Sequence, residues 1–191
     1  MDKKIFPPCL VVLAGVPLHG KTALGKKLAE VSNFEHLDVD TARETYMQQL
    51  EKRLGKRPDS HSPEGLRLME DAYAILVSMA RSQCAKVPVV ITGTFSKDEF
   101  KRPLLDFISR SEVPVLVIKL EAELSGDGLA QRIQSREREG SQSPINTPEL
   151  YLKSVELQTP WSIPVKCINA DRPLEKSFGE LLVYVESKIP R

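Results

Sequence analysis

An apolar run, Cys9 to Ala14, passes directly into Gly15-Val16-Pro17-Leu18-His19-Gly20-Lys21-Thr22, and an amphipathic stretch begins at Ala23. This is the pattern GxxxxGK[ST] set between a strand and a helix, and no other feature of the chain constrains its fold as much. Glycine supplies the unusual turns and the close backbone approach that such a loop requires. Backbone N–H groups from Gly15 to Ala23 are expected to cradle phosphate oxygens at a helix N-terminus, with Lys21 reaching the outer phosphates and the Thr22 hydroxyl binding Mg²⁺. Within the loop, His19 reads as a tolerated filler rather than a catalyst.

Further apolar runs, Val87 to Thr92, Val113 to Leu120 and Val165 to Asn169, read as buried strands. Short β-branched runs of this kind suit a parallel sheet covered on both faces. Leu24, Leu28 and Val31 share one helical face, and Met69, Tyr73, Leu76 and Ala80 share another, so strands and helices alternate. The predicted class is α/β: a single domain over residues 1–191, a parallel sheet flanked by helices, and a small lid near residues 127–157. Ser62-Pro63 can cap and start a helix, and Ser96-Lys97-Asp98-Glu99 has capping-box spacing. Pro103 either kinks the helix that follows or begins it. Gly55 to Ser62 and Gly140 to Pro148 read as polar loops.

Composition narrows the partners. Lys+Arg number 27 against 26 Asp+Glu, a net charge of +1, so a strongly basic nucleic-acid scaffold is disfavoured. Lys52, Arg53, Lys56 and Arg57 make one local basic run, and the aromatic residues are scattered without basic interleaving. A nucleic-acid partner is therefore less favoured than a small molecule. Cys9, Cys84 and Cys167 lack metal-site spacing, which fits a reducing cytoplasm. Lys3 and Lys4 ahead of the apolar run imitate a signal peptide, but no small-residue cleavage site follows and the run is too short to span a bilayer. Neither export nor a membrane anchor is expected, and no oligomeric state is assigned.

His36-Leu37-Asp38-Val39-Asp40-Thr41-Ala42-Arg43 follows the first helix, where a second short strand should end beside the phosphate loop. In a strand, Asp38 and Asp40 would point to one side, at the carboxyl edge where open parallel sheets bind ligands. Phosphoryl transfer to a hydroxyl needs one carboxylate to orient the O–H and accept its proton, and a second can hold Mg²⁺ through water. Alternatively, Asp40 caps the next helix. GTPase signatures DxxG and NKxD are missing, and Val89 to Thr92 ends without the carboxylate of hydrolytic ATPases. Leu124-Ser125-Gly126-Asp127-Gly128 only faintly resembles a transporter signature and reads as a plain turn before a helix.

With the glycine loop, Asp40-x-x-Arg43, Val89-Val90-Ile91-Thr92-Gly93-Thr94 and Arg132-x-x-x-Arg136, the chain resembles the P-loop small-molecule kinase group. It is most similar to the branch related to polynucleotide kinase, zeta toxin and chloramphenicol phosphotransferase. Asp38-x-Asp40 also resembles shikimate, gluconate and adenylylsulfate kinases. The resemblance implies Asp40 as base for the acceptor hydroxyl, Arg43 as a substrate or phosphate contact, and Mg-ATP as donor. Arg132 and Arg136, four apart on one helical face, are then expected to cover the adenine and reach the phosphates respectively. Asn169 to Pro173 resembles the adenine-contacting loop, although Asp171 would equally start the last helix. The resulting expectation is a kinase acting on a hydroxyl of a small polar metabolite. A polynucleotide 5′-hydroxyl kinase and a nucleotide-binding regulator without turnover are the alternatives.

Overall fold

Strand β1 (Leu10–Ala14) has no exposed residue, because its side chains feed two hydrophobic cores at once. Leu10, Val12 and Ala14 point into one core, and Val11 and Leu13 into the other. A strand buried on both faces must lie inside a sheet covered by helices. The computed structural model, which describes residues 3–55, 63–138 and 145–189, places β1 at the centre of five parallel strands. The others are β2 (Glu35–Asp38), β3 (Val89–Gly93), β4 (Val115–Glu121) and β5 (Lys166–Asn169), in the order β2-β3-β1-β4-β5.

Helices α1 (Lys21–Val31) and α7 (Leu174–Lys188) cover one face with Leu24, Leu28, Phe178, Leu181 and Val185. Helices α3 (Pro63–Cys84) and α4 (Asp98–Ile108) cover the other through Tyr73, Leu76 and Leu104. Helix α2 (Val39–Leu54) joins β2 to α3, and α5 (Gly126–Arg138) and α6 (Pro148–Glu156) occupy the segment expected to be a lid. A third cluster ties that lid to the glycine loop, with Val16 against Leu129, Ile133 and Tyr151. Among the described residues no helix is long and apolar enough to cross a membrane.

Several local expectations change in three dimensions. Helix α4 starts at Asp98 and keeps Pro103 inside it, losing one helix hydrogen bond, while Phe100 and Leu104 are buried from its inner face. The capping box does not form: Lys97 precedes the helix without a side-chain cap, and the Ser96 carbonyl instead accepts from the Thr159 N–H at 2.7 Å. Helix α7 begins at Leu174, so Asp171 does not start it; the Asp171 carboxylate accepts from the Glu123 N–H at 3.1 Å. Helix α3 begins at Pro63 as expected, whereas Ser62, most of the 55–62 loop and residues 140–144 of the second loop lie outside the described residues.

Two buried polar side chains hold the walls of the future site. The Lys101 ammonium, 1% exposed, donates to the Thr159 and Pro160 carbonyls and so pins the segment that follows α6. The Tyr73 hydroxyl accepts the N–H groups of Thr94 at 2.9 Å and Phe95 at 3.0 Å, shaping the loop after β3, where Phe95 has φ 47°. Burial raises the Tyr73 pKa to about 12, so it stays a neutral hydroxyl. Tyr73→Phe should destabilise the protein by about 1–3 kcal/mol, because it orphans buried donors. Urea denaturation measures this, and an unchanged midpoint would contradict it.

Candidate active site

The glycine loop turns where β1 meets α1. Gly15 has φ 141°, and a Cβ there would stand 2.5 Å from the Leu120 carbonyl oxygen, so only glycine fits. Gly20, at φ 76°, provides the left-handed step into α1, whose first N–H groups face the cleft. The Lys21 ammonium folds back onto the Val16 carbonyl at 2.8 Å, within its own loop. Loop and helix thus have the strand-loop-helix form expected of a phosphate cradle.

His19 is no filler. It is 4% exposed, its Nδ1 lies 2.9 Å from the Leu120 carbonyl and its Nε2 lies 3.1 Å from the Tyr151 hydroxyl of α6. The ring therefore links the glycine loop, the end of β4 and the lid, a role that only tertiary contact could reveal. Burial, aided by the positive charge of Lys21 and Arg132, lowers its pKa to about 4. Between pH 6.5 and 4 the unfolded chain then binds a proton that the native ring refuses, so stability falls as pH falls through that window. The full loss is on the order of 3 kcal/mol. His19→Gln should flatten this part of a melting-temperature profile without abolishing it, because burial also lowers the pKa of His36. An unaltered profile in the variant would refute the assignment.

The acids do not lie in one strand. β2 ends at Asp38, and Asp40 belongs to the first turn of α2. The cap of α2 is Asp38, not Asp40: Asp38 Oδ1 accepts the Asp40 N–H at 2.8 Å, which turns the chain from extended to helical immediately after the strand. Asp38 Oδ2 accepts two hydroxyls, from Thr22 at 2.9 Å and from Thr92 at 2.5 Å. Thr92 is the register partner of Asp38 across the β2–β3 ladder. The carboxylate missing from the end of β3 is thus supplied sideways by β2. His36 Nε2, 2.9 Å from Thr92 Oγ1, completes the chain, and since the Thr92 proton points to Asp38, His36 is the donor there. Helix α1 comes this close to β2 because Gly25 carries no side chain; a Cβ would stand 2.8 Å from the His36 ring.

Asp40 projects beyond this network, half-exposed, with Arg43 Nη2 3.3 Å from its Oδ1. Asp40 and Arg43 both line a cavity of about 220 Å³, to whose wall α6 contributes Ser154. On the other side of Lys21 and Thr22 lies a cleft of about 440 Å³, bordered by Arg132, Ala170 and Arg172. Arg132 spans this cleft, donating to the Leu18 carbonyl and to the Ala170 carbonyl, each at 2.8 Å. It therefore joins the glycine loop to the loop after β5. Arg136 lies one turn further along α5, its side chain outside the described residues. Of the basic run, Lys52 is exposed on α2 and away from both cavities, and Lys56 and Arg57 lie outside the described residues. Sequence reasoning missed Thr92, His36 and Tyr73 as parts of this site; only the Thr92-Gly93-Thr94 string hinted at them.

One family profile, described as an AAA domain, matches residues 10–157, which takes in the glycine loop, both acids and the lid helices. The chain belongs to this AAA domain family. A comparison of the chain with curated proteins finds no match. Among solved structures it is similar to a gluconokinase from Sinorhizobium meliloti 1021, with TM-score 0.59 and 18% identity over 94% of this chain and 98% of that one. It is likewise similar to a shikimate kinase from Bacteroides thetaiotaomicron, with TM-score 0.58 and 18% identity over 93% and 98%. A sugar kinase from Janibacter sp. HTCC2649 gives TM-score 0.57 and 17% identity over 94% and 95%. At such identities the likeness establishes a shared fold, that of P-loop kinases. None of these three is a polynucleotide kinase, a zeta toxin or a chloramphenicol phosphotransferase.

Proposed function

We propose that this chain is a kinase that transfers the γ-phosphoryl group of Mg-ATP to a hydroxyl of a small molecule. The observation that carries the reading is the meeting of two cavities at Lys21, with the carboxylates of Asp38 and Asp40 on the wall of the smaller one and not on that of the larger. A nucleotide in the larger cleft, its phosphates on the N–H groups of residues 15–23, would direct its terminal phosphate at the smaller one. Lys21 would exchange the Val16 carbonyl for phosphate oxygens. Thr22 and Asp38 would hold Mg²⁺, which supplies neutralisation of phosphate charge; one hydroxyl and one carboxylate fit an ion that takes its remaining ligands from nucleotide and water.

Asp40, beside Arg43 and on the wall of the smaller cavity, would accept the proton of the acceptor hydroxyl. Arg132 would cover the base and Arg136 the transferring phosphate, as the kinase resemblance implies. Mg-ATP at about a hundredfold over its Kd should stabilise the wild type by ~2.7 kcal/mol, visible as a raised melting temperature. Lys21→Ala should largely lose that shift, and ADP release should depend on an added hydroxyl compound. An equal shift in both proteins would overturn the proposal.

A further inference from the structure

Asp40 lines two cavities, one of about 560 Å³ along α2 that Lys21 does not reach and one of about 220 Å³ that Lys21 shares; the second, where the transferring phosphate would point, is smaller than sites for drug-sized ligands usually are. Polar groups mark one end, where Lys21, Thr22, Asp38 and Asp40 gather. Apolar surface from Pro17, Val39, Met69, Tyr73, Phe100 and Leu157 forms most of the remaining wall. The Tyr73 and Phe100 rings lie stacked, with centroids 5.1 Å apart.

Apart from Ser96, whose hydroxyl also lines the wall, the polar side chains elsewhere in it are engaged within the protein. Tyr73 and Thr94 bond each other at 2.8 Å, and Tyr73 also serves two backbone N–H groups. The Ser154 hydroxyl donates to the Tyr151 carbonyl, and the Gln158 amide donates back to the Ser154 carbonyl. Arg43 is paired with Asp40 and turns its other nitrogen toward the Met69 sulfur at 3.9 Å. Among the described lining residues the cations are Lys21, at the phosphate end, and this compensated Arg43. A carboxylate or several extra hydroxyls on the acceptor would give up water here without equivalent partners, which disfavours binding.

We infer that the acceptor is an uncharged alcohol whose hydroxyl sits on a small apolar body, about the size of one aromatic ring, rather than a polyol or a hydroxy acid. The inference rests on the kinase reading for its chemistry. The acceptor oxygen attacks the γ-phosphorus while the bond from that phosphorus to the β–γ bridging oxygen breaks. ADP leaves with the electron pair, and the hydroxyl proton passes to the Asp40 carboxylate and then to solvent.

The full chain with Mg-ATP is assayed for ADP release with 2-phenylethanol and 3-methylbutanol, against gluconate and shikimate. Calorimetry without nucleotide measures binding of the same four probes. The alcohols should stimulate release at least tenfold more than the two acids, with the alcohol phosphate detected by mass spectrometry. Leu157→Asp, at a position 45% exposed and so tolerant of charge, should weaken 2-phenylethanol binding at least tenfold while leaving the Mg-ATP melting shift intact. Greater stimulation by gluconate or shikimate, alcohol binding equal in wild type and variant, or no alcohol binding at all would overturn the inference. Leu157-dependent alcohol binding with no ADP release from any probe would uphold the cavity's chemistry and count against the kinase reading instead.

Discussion

Asp40→Asn is expected to bind Mg-ATP as the wild type does and to lose transfer by ~10²- to 10⁴-fold, the usual contribution of a general base. Asparagine is nearly isosteric, and the Asp40 carboxylate takes no part in capping α2, since that bond comes from the Asp40 backbone N–H to Asp38. The fold should therefore survive, leaving loss of proton acceptance as the main change. Some weakening of the Arg43 contact will follow, but at 3.3 Å to a half-exposed carboxylate it is worth little for stability. Melting temperature with and without Mg-ATP, set beside turnover, separates these effects. Wild-type turnover in Asp40→Asn would remove the base from this position.

Asp38→Asn should fail differently. The carboxylate accepts three hydrogen bonds, from the Thr22 hydroxyl, the Thr92 hydroxyl and the Asp40 N–H. An amide presents one acceptor oxygen and an NH₂ group where the second oxygen was, so at least one of these donors loses its partner. The expected result is a loss of about 1–2 kcal/mol in stability, the range for a helix cap, together with a much higher Mg²⁺ requirement for turnover. Magnesium titrations at saturating ATP measure the second effect, and denaturant titration the first. A variant with unchanged stability and an unchanged Mg²⁺ requirement would show that Asp38 neither caps α2 in solution nor supports the ion.

The glycine loop, the buried strands, the parallel α/β class and helix α5 are written locally. Each rests on a run of residues whose turn chemistry or periodicity acts over a few positions, such as Gly15 to Thr22 or the alternating cores served by β1. Leu129 and Ile133 turn inward as their spacing implies, and meet Val16 of the glycine loop. Asp38 and Asp40 were legible as a pair of acids beside that loop, but not their division of labour. Period-2 reasoning continues a strand until something stops it, and here the stop is a hydrogen bond made by Asp38 itself.

What only the tertiary structure decided comes from contacts between residues distant in sequence. His19 meets Leu120 and Tyr151, Thr92 meets Asp38 and His36, and Tyr73 shapes the Thr94–Phe95 loop. The smaller, largely apolar cavity likewise joins α2, α3, α4 and α6, elements with no common motif. The physical reason is one of range: helix and strand periods and loop turns arise from neighbours along the chain, whereas desolvation and hydrogen-bond satisfaction depend on which distant groups are brought together. Sequence alone thus determined the strand-loop-helix turn where β1 meets α1, and packing decided which distant residues line the cavities on either side of it.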